Sequence, residues 1–207
     1  PTMRTLVLAL CLNLALCAGA ALAADVYGVS ATQKITPEQA PDASWSTGPL
    51  ALQCARNEWE ACQVVVRSPE ALEGVSLALS DLRGPQGGLL PANLARLYRV
   101  EWVDINAPYE VDKPSETPDL RADPLVPVRP AEGCALAAGR NLVFWVALYA
   151  PEATKPGSYS GQLKVSSGGR LLKALPLTVR VRSFALPRTP LLQSMIGFAA
   201  DNIYKAH

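Results

Sequence analysis

Histidine is almost missing from this sequence: the 207 residues contain one, His207, at the last position. A Ser-His-Asp arrangement or a His-rich metal site therefore has nothing to be built on. A dominant charge is missing too. With 19 Lys and Arg against 18 Asp and Glu, the net charge is +1, so no surface is marked out for a polyanion and nucleic acid is not an expected partner. Helical periodicity is hard to find between residues 25 and 187, where apolar residues recur at every second position instead. The apolar stretch near the start is shorter than the roughly 20 uninterrupted residues needed to cross a bilayer.

What the sequence does have begins near its start. The chain opens Pro1-Thr2-Met3-Arg4, and Met3 reads as the true first residue. One charge at Arg4, an apolar stretch from Leu6 to Leu16 broken by Asn13, and the small-residue tail Ala21-Leu22-Ala23 make a secretory signal over residues 1–23, cut before Ala24. A lipoprotein alternative at Cys17 is disfavoured, because Leu16 stands where a small residue is required. The expected location is extracellular or periplasmic, with no membrane attachment once the signal is removed. That compartment is oxidising, and it receives three cysteines, Cys54, Cys62 and Cys134.

The body of the chain reads as strands. Tyr159, Gly161, Leu163 and Val165 alternate with Ser160, Gln162, Lys164 and Ser166. Ser167-Gly168-Gly169-Arg170 then reads as a tight hairpin, since paired glycines supply the positive φ of a primed turn. The return strand sends Leu175, Leu177, Val179 and Val181 inward, and Pro176 places it at an edge or leaves its NH side unpaired. "LVFWVALY" (142–149) is apolar throughout, as a central strand covered on both faces should be. The expected fold is all-β, an antiparallel sandwich of immunoglobulin-like or jelly-roll-like type over residues 24–187. From Phe184 to Pro190 the alternation stops, and 188–207 reads as a linker followed by a strand and the start of a helix.

"CARNEWEACQVVV" (54–66) puts Glu58 and Glu60 between two apolar runs. Carboxylates two apart on a strand have Cα atoms about 6.6 Å apart, inside the range of roughly 5–9.5 Å found in glycosidase pairs. Their direction is wrong. Both stand on one face of one strand, whereas an acid and a base approach a scissile bond from different sides. The stretch is read as a hairpin corner turning at Asn57, with Cys54 in phase with Leu50 and Leu52 and Cys62 in phase with Val64 and Val66. Opposed cysteines in such a hairpin lie within disulfide reach, so a Cys54–Cys62 bridge is expected, the alternative being two buried free thiols.

Glu110, Asp112, Glu116, Asp119 and Asp123 fall in a loop over 109–127, but their spacing lacks a regular calcium-loop pattern and reads as solvated charge. Trp102 and Trp145 read as core residues, leaving Trp45 and Trp59 open as sugar-stacking candidates. No Ser or Thr has an internal base, so no catalytic residue, metal site or cofactor is expected.

Several segments in order carry a resemblance: "ARNEWEACQVVV" (55–66), "YRVEWVDI" (98–105), "ADPLVP" (122–127), "AGRNLVFWVALYAPEATKPGSYSGQLKV" (138–165) and "LPLTVRVRSFALPRTP" (175–190). The chain resembles the N-terminal β-sandwich of secreted glycoside-hydrolase-like proteins grouped as domain of unknown function 4091, which are similar to glycoside hydrolase family 123. The resemblance implies that a TIM-like barrel follows, with "SMIGFAADNIYKAH" (194–207) as its truncated start and with the family's acid residues on later barrel strands. It implies a non-catalytic module packed against that barrel, in a protein that hydrolyses glycans, with N-acetylhexosaminides as the candidate class. The other readings are an autonomous carbohydrate-binding module and a cell-surface interaction domain.

Overall fold

The computed structural model describes residues 24–105, 119–129 and 133–189. The expected signal segment (1–23) and barrel start (194–207) lie outside the described residues, as do Glu110, Asp112 and Glu116. Among the described residues there are twelve strands: β1 (Asp25–Ser30), β2 (Leu50–Arg56), β3 (Glu58–Arg67), β4 (Leu72–Leu79), β5 (Leu82–Arg83), β6 (Leu89–Leu90), β7 (Ala95–Asp104), β8 (Leu120–Pro127), β9 (Cys134–Leu136), β10 (Asn141–Ala150), β11 (Gly157–Ser167) and β12 (Arg170–Ala185). They form two sheets. One has the order β1-β3-β10-β7-β8; the other runs β2-β12-β11-β4-β9, with β5 paired to β11 and β6 to β5. The fold is all-β and sandwich-like, as the period-two pattern implies.

β10 is the middle strand of the five-stranded sheet, which accounts for its unbroken apolar sequence. Phe144, Val146 and Leu148 point into the layer between the sheets, against Val64 and Val66 of β3 and Leu163, Val165, Leu177 and Val179 of β11 and β12. Val143 and Trp145 point the other way, into a second cluster with Val29, Ile35, Trp45, Val65 and Val100.

That second cluster exists because residues 31–49 are a cover as well as a connection. Ile35 and Trp45 are buried in it, and two buried polar side chains pin the segment from below. Gln63 Nε2 donates to the carbonyls of Ser30 (2.8 Å) and Gln33 (2.9 Å). Asn141 Nδ2 donates to those of Thr36 and Gln39, both at 2.9 Å. A buried amide without partners would cost about 1–3 kcal/mol, so these pairs fix where the cover lies. It closes only part of the outer face of the sheet. Toward the Asn57 end, Trp59, Ala61, Ala147 and Tyr149 are half-buried or exposed, and Arg96 is exposed.

Gly168 (φ 54°) and Gly169 (φ 80°) make the expected primed turn, with Ser167 opposite Arg170. β12 departs from a purely antiparallel arrangement by pairing β11 antiparallel and β2 parallel. β2 reaches back only to Leu177, so Pro176 sits on β12 just beyond the paired stretch, and its missing N–H costs no ladder bond. The expected loop over 109–127 needs correction: residues 120–127 form β8, an edge strand against β7, with Pro124 and Pro127 tolerated because one side is unpaired.

Candidate functional site

The corner at Asn57 is where the sequence carries most polar chemistry, and the structure gives it a different geometry from a hairpin. β2 lies in one sheet and β3 in the other, so the chain changes layers at Asn57. Its φ of 59° is in the left-handed region, which asparagine tolerates better than most residues. Glu58 Oε2 folds back to accept the Ala55 N–H at 2.5 Å, capping the turn. Glu58 is thus occupied in structure, and the two glutamates form no acid and base pair.

Around this corner the end of β10 and the exit of β12 are tied together. The Asn57 N–H donates to the Ala150 carbonyl (2.6 Å), and the Leu186 N–H donates to the Arg56 carbonyl (2.8 Å). Arg56 Nη1 donates to Glu152 O and Nη2 to Ser183 O, both at 3.0 Å. Asn57 Nδ2 donates to Leu186 O (3.0 Å), while its Oδ1 accepts the Tyr149 hydroxyl (2.6 Å). Arg188 adds an ion pair to Glu152 at 2.8 Å. The residues just before the described chain stops are therefore held in a defined place.

Cys54, Cys62 and Cys134 are buried free thiols. The hairpin that was to bring Cys54 and Cys62 together is absent. Both side chains join the inter-sheet core, one from each layer, instead of opposing each other across a ladder. Burial, helped by Glu58 and Glu60, pushes the Cys54 thiol up to about 11, and burial with Glu60 pushes Cys62 up to about 12. Thiols held protonated in this way are poor nucleophiles and poor metal ligands.

On the outer face of the five-stranded sheet, beside the corner, three side chains from three adjacent strands meet. Trp59 lies against Tyr149, with ring centroids 5.1 Å apart and planes tilted by 31°. The Arg96 guanidinium sits 4.7 Å from the Trp59 ring centroid, in cation–π range. Trp59 is nevertheless 44% exposed. Arg96 and Tyr149 carried no signal in the sequence, because only the strand order β3-β10-β7 brings them together.

The remaining candidates disperse. Trp45 is buried in the second cluster, edge-on to Tyr27 at 5.5 Å, and is unavailable to a sugar. Trp102 and Trp145 pack against the same cluster, with Trp102 Nε1 donating to Ile35 O at 2.7 Å. Asp119 pairs with Arg121 at 2.8 Å on the surface. Among the described residues no group of three or more His, Cys, Asp and Glu is placed to hold a metal. A cleft of about 650 Å³ opens between β4 and β7, lined mainly by apolar residues such as Leu77, Leu79, Leu97 and Val128, with Asn93 and Arg96 also on its wall. No helix among the described residues is long and apolar enough to cross a membrane.

The family profile of the glycoside hydrolase 123 N-terminal domain matches residues 36–167, from the cover segment through β11. The chain belongs to that family. Among solved structures it is similar to a family 123 glycoside hydrolase from Clostridium perfringens studied for glycolipid glycan hydrolysis, at 16% identity and a TM-score of 0.52. That match covers 68% of this chain and 24% of the enzyme, so the chain spans about a quarter of its length. The N-terminal domain of PorA (9% identity, TM-score 0.32, covering 77% of this chain and 99% of that one) and a β-glucosidase from Listeria innocua (11%, 0.31, 79% and 16%) are more distant, and neither informs the chemistry. No curated protein matches in sequence.

Proposed function

We propose that this chain is the non-catalytic sandwich of a larger secreted glycoside hydrolase, packing against a barrel that follows it and positioning that barrel. The observation that carries the reading is the family match over residues 36–167 to an N-terminal domain, in a chain spanning about a quarter of the related enzyme. The substrate belongs to the barrel, and glycans ending in N-acetylhexosamine are the class proposed. Glycolipid glycans, on which the Clostridium perfringens relative acts, are compatible with that class. Residues 1–23 would direct export, 24–187 would form the module and 188–207 would lead into the barrel.

An autonomous sugar-binding role is less well supported. Stacking needs an open aromatic face, Trp45 is buried, and Arg96 already lies over Trp59. The test is hydrolysis of an aryl N-acetylhexosaminide. The full-length protein should turn it over and the purified 207-residue chain should not. Turnover by the shorter chain would place the chemistry inside the sandwich and overturn the reading.

A further inference from the structure

We infer that the surface meeting the following domain is the Asn57 end of the five-stranded sheet, centred on Trp59, Tyr149 and Arg96 and continuing to Leu186. This rests on the reading that such a domain follows, and it adds where that domain sits.

Three independent observations converge on this surface. The first is coverage. Residues 31–49 close the outer face of the sheet over Val65, Val100 and Val143, with Gln63 and Asn141 holding them there. Nothing in the described chain continues that cover over Trp59. Sheets bury their apolar faces, so the uncovered half is the part that needs a second layer.

The second is composition. Tryptophan, tyrosine and arginine are the residues that dominate protein interfaces, because large rigid side chains bury much surface at little entropic cost. Here they are assembled in advance. Tyr149 is fixed by its hydroxyl on Asn57 Oδ1, and Arg96 is stacked on Trp59, so little side-chain freedom is left to lose on contact.

The third is the path of the chain. One asparagine side chain holds both Tyr149 and the Leu186 carbonyl, so the backbone leaves the sandwich beside this patch. Leu186 is 39% exposed there and Phe184, two residues earlier, 59%. The exposed Arg188–Glu152 pair lies at the same exit. The backbone therefore leaves the sandwich at the Asn57 end, and a domain joined there by a short link would meet this surface at high effective concentration. The opposite end, where Leu171 flanks the Gly168-Gly169 turn and is 54% exposed, has no such connection.

The test is side-chain oxidative footprinting of the full-length protein, with rates normalised to the intrinsic reactivity of each residue type. Trp59 and Leu171 have similar exposure in the sandwich alone, 44% and 54%, so they should react alike if neither is covered. Burial at an interface core should instead slow Trp59 roughly fivefold or more relative to Leu171. Equal normalised rates for Trp59 and Leu171 would overturn the assignment, as would protection of Leu171 with Trp59 reactive. Hydrolysis of the aryl N-acetylhexosaminide by the same preparation separates the two levels of the account. Turnover with a reactive Trp59 removes this surface and leaves the accessory role standing, while protection of Trp59 without turnover keeps the surface and removes the proposed substrate.

Discussion

Asn57 joins a backbone requirement to a side-chain one. It holds a left-handed φ where the chain changes sheets, and its amide bridges Tyr149 and Leu186. Asn57→Ala should cost about 2 kcal/mol or more, from the left-handed conformation and two lost hydrogen bonds. Asn57→Gly should cost less, because glycine adopts that φ freely and only the hydrogen bonds are lost. Urea unfolding of the three proteins checks this ranking, and an alanine variant as stable as wild type contradicts it. The buried thiols add a pH dependence. The Cys62 folded-state value of about 12 lies above the ordinary 9.0, so the folded state keeps its proton while the unfolded state loses one. The associated stability is complete below pH 9 and falls as pH rises toward 12, at most about 1.4 kcal/mol per pH unit for one thiol. Cys62→Ala should flatten that part of the profile relative to wild type; unchanged slopes would mean that the thiol ionises equally in both states. The sequence showed which way Cys54 and Cys62 point, because parity along a strand is legible. Which sheet each strand joins is not encoded in parity, so the bridge was expected from a hairpin that does not form.

At the level of elements, the clearest patterns in the sequence were the ones that formed. The 142–149 run became the central strand β10, and Gly168-Gly169 became the hairpin turn between β11 and β12, because long apolar runs and paired glycines each have few alternatives. Phe144 is fully buried at the middle of β10, so Phe144→Ala should destabilise the sandwich by about 3–5 kcal/mol. A calorimetric midpoint that does not move would show that this residue is not in the core. β8 was hidden because its two prolines and alternating charges look like a loop, and only its position at a sheet edge makes such a sequence acceptable. The cover over 31–49 was hidden for a related reason. Its buried anchors, Ile35 and Trp45, lie ten residues apart with turn residues between them, and the amides that pin it come from β3 and β10. Long-range pairing of this kind leaves no local periodicity.

For the whole molecule, the arrangement is a two-layer core in which the outer face of the seven-stranded sheet is polar and exposed, while the part of the five-stranded sheet's outer face that carries Trp59 and Tyr149 is left uncovered beside the point where the chain departs. Neither the aromatic cluster nor the tie at Asn57 was legible in the sequence, since Trp59, Arg96 and Tyr149 become neighbours only through the order β3-β10-β7. The family match supplies the expectation of a further domain, and that uncovered part supplies a place for it. Two domains packed through Trp59 should unfold together, because each would lose its covered face when the other melts. The most direct measurement is scanning calorimetry of the full-length protein, wild type beside Trp59→Ala. One merged transition that splits into two when Trp59 is truncated is the predicted result; two separate transitions already present in the wild type, with the substitution changing neither their number nor their spacing, would contradict the account.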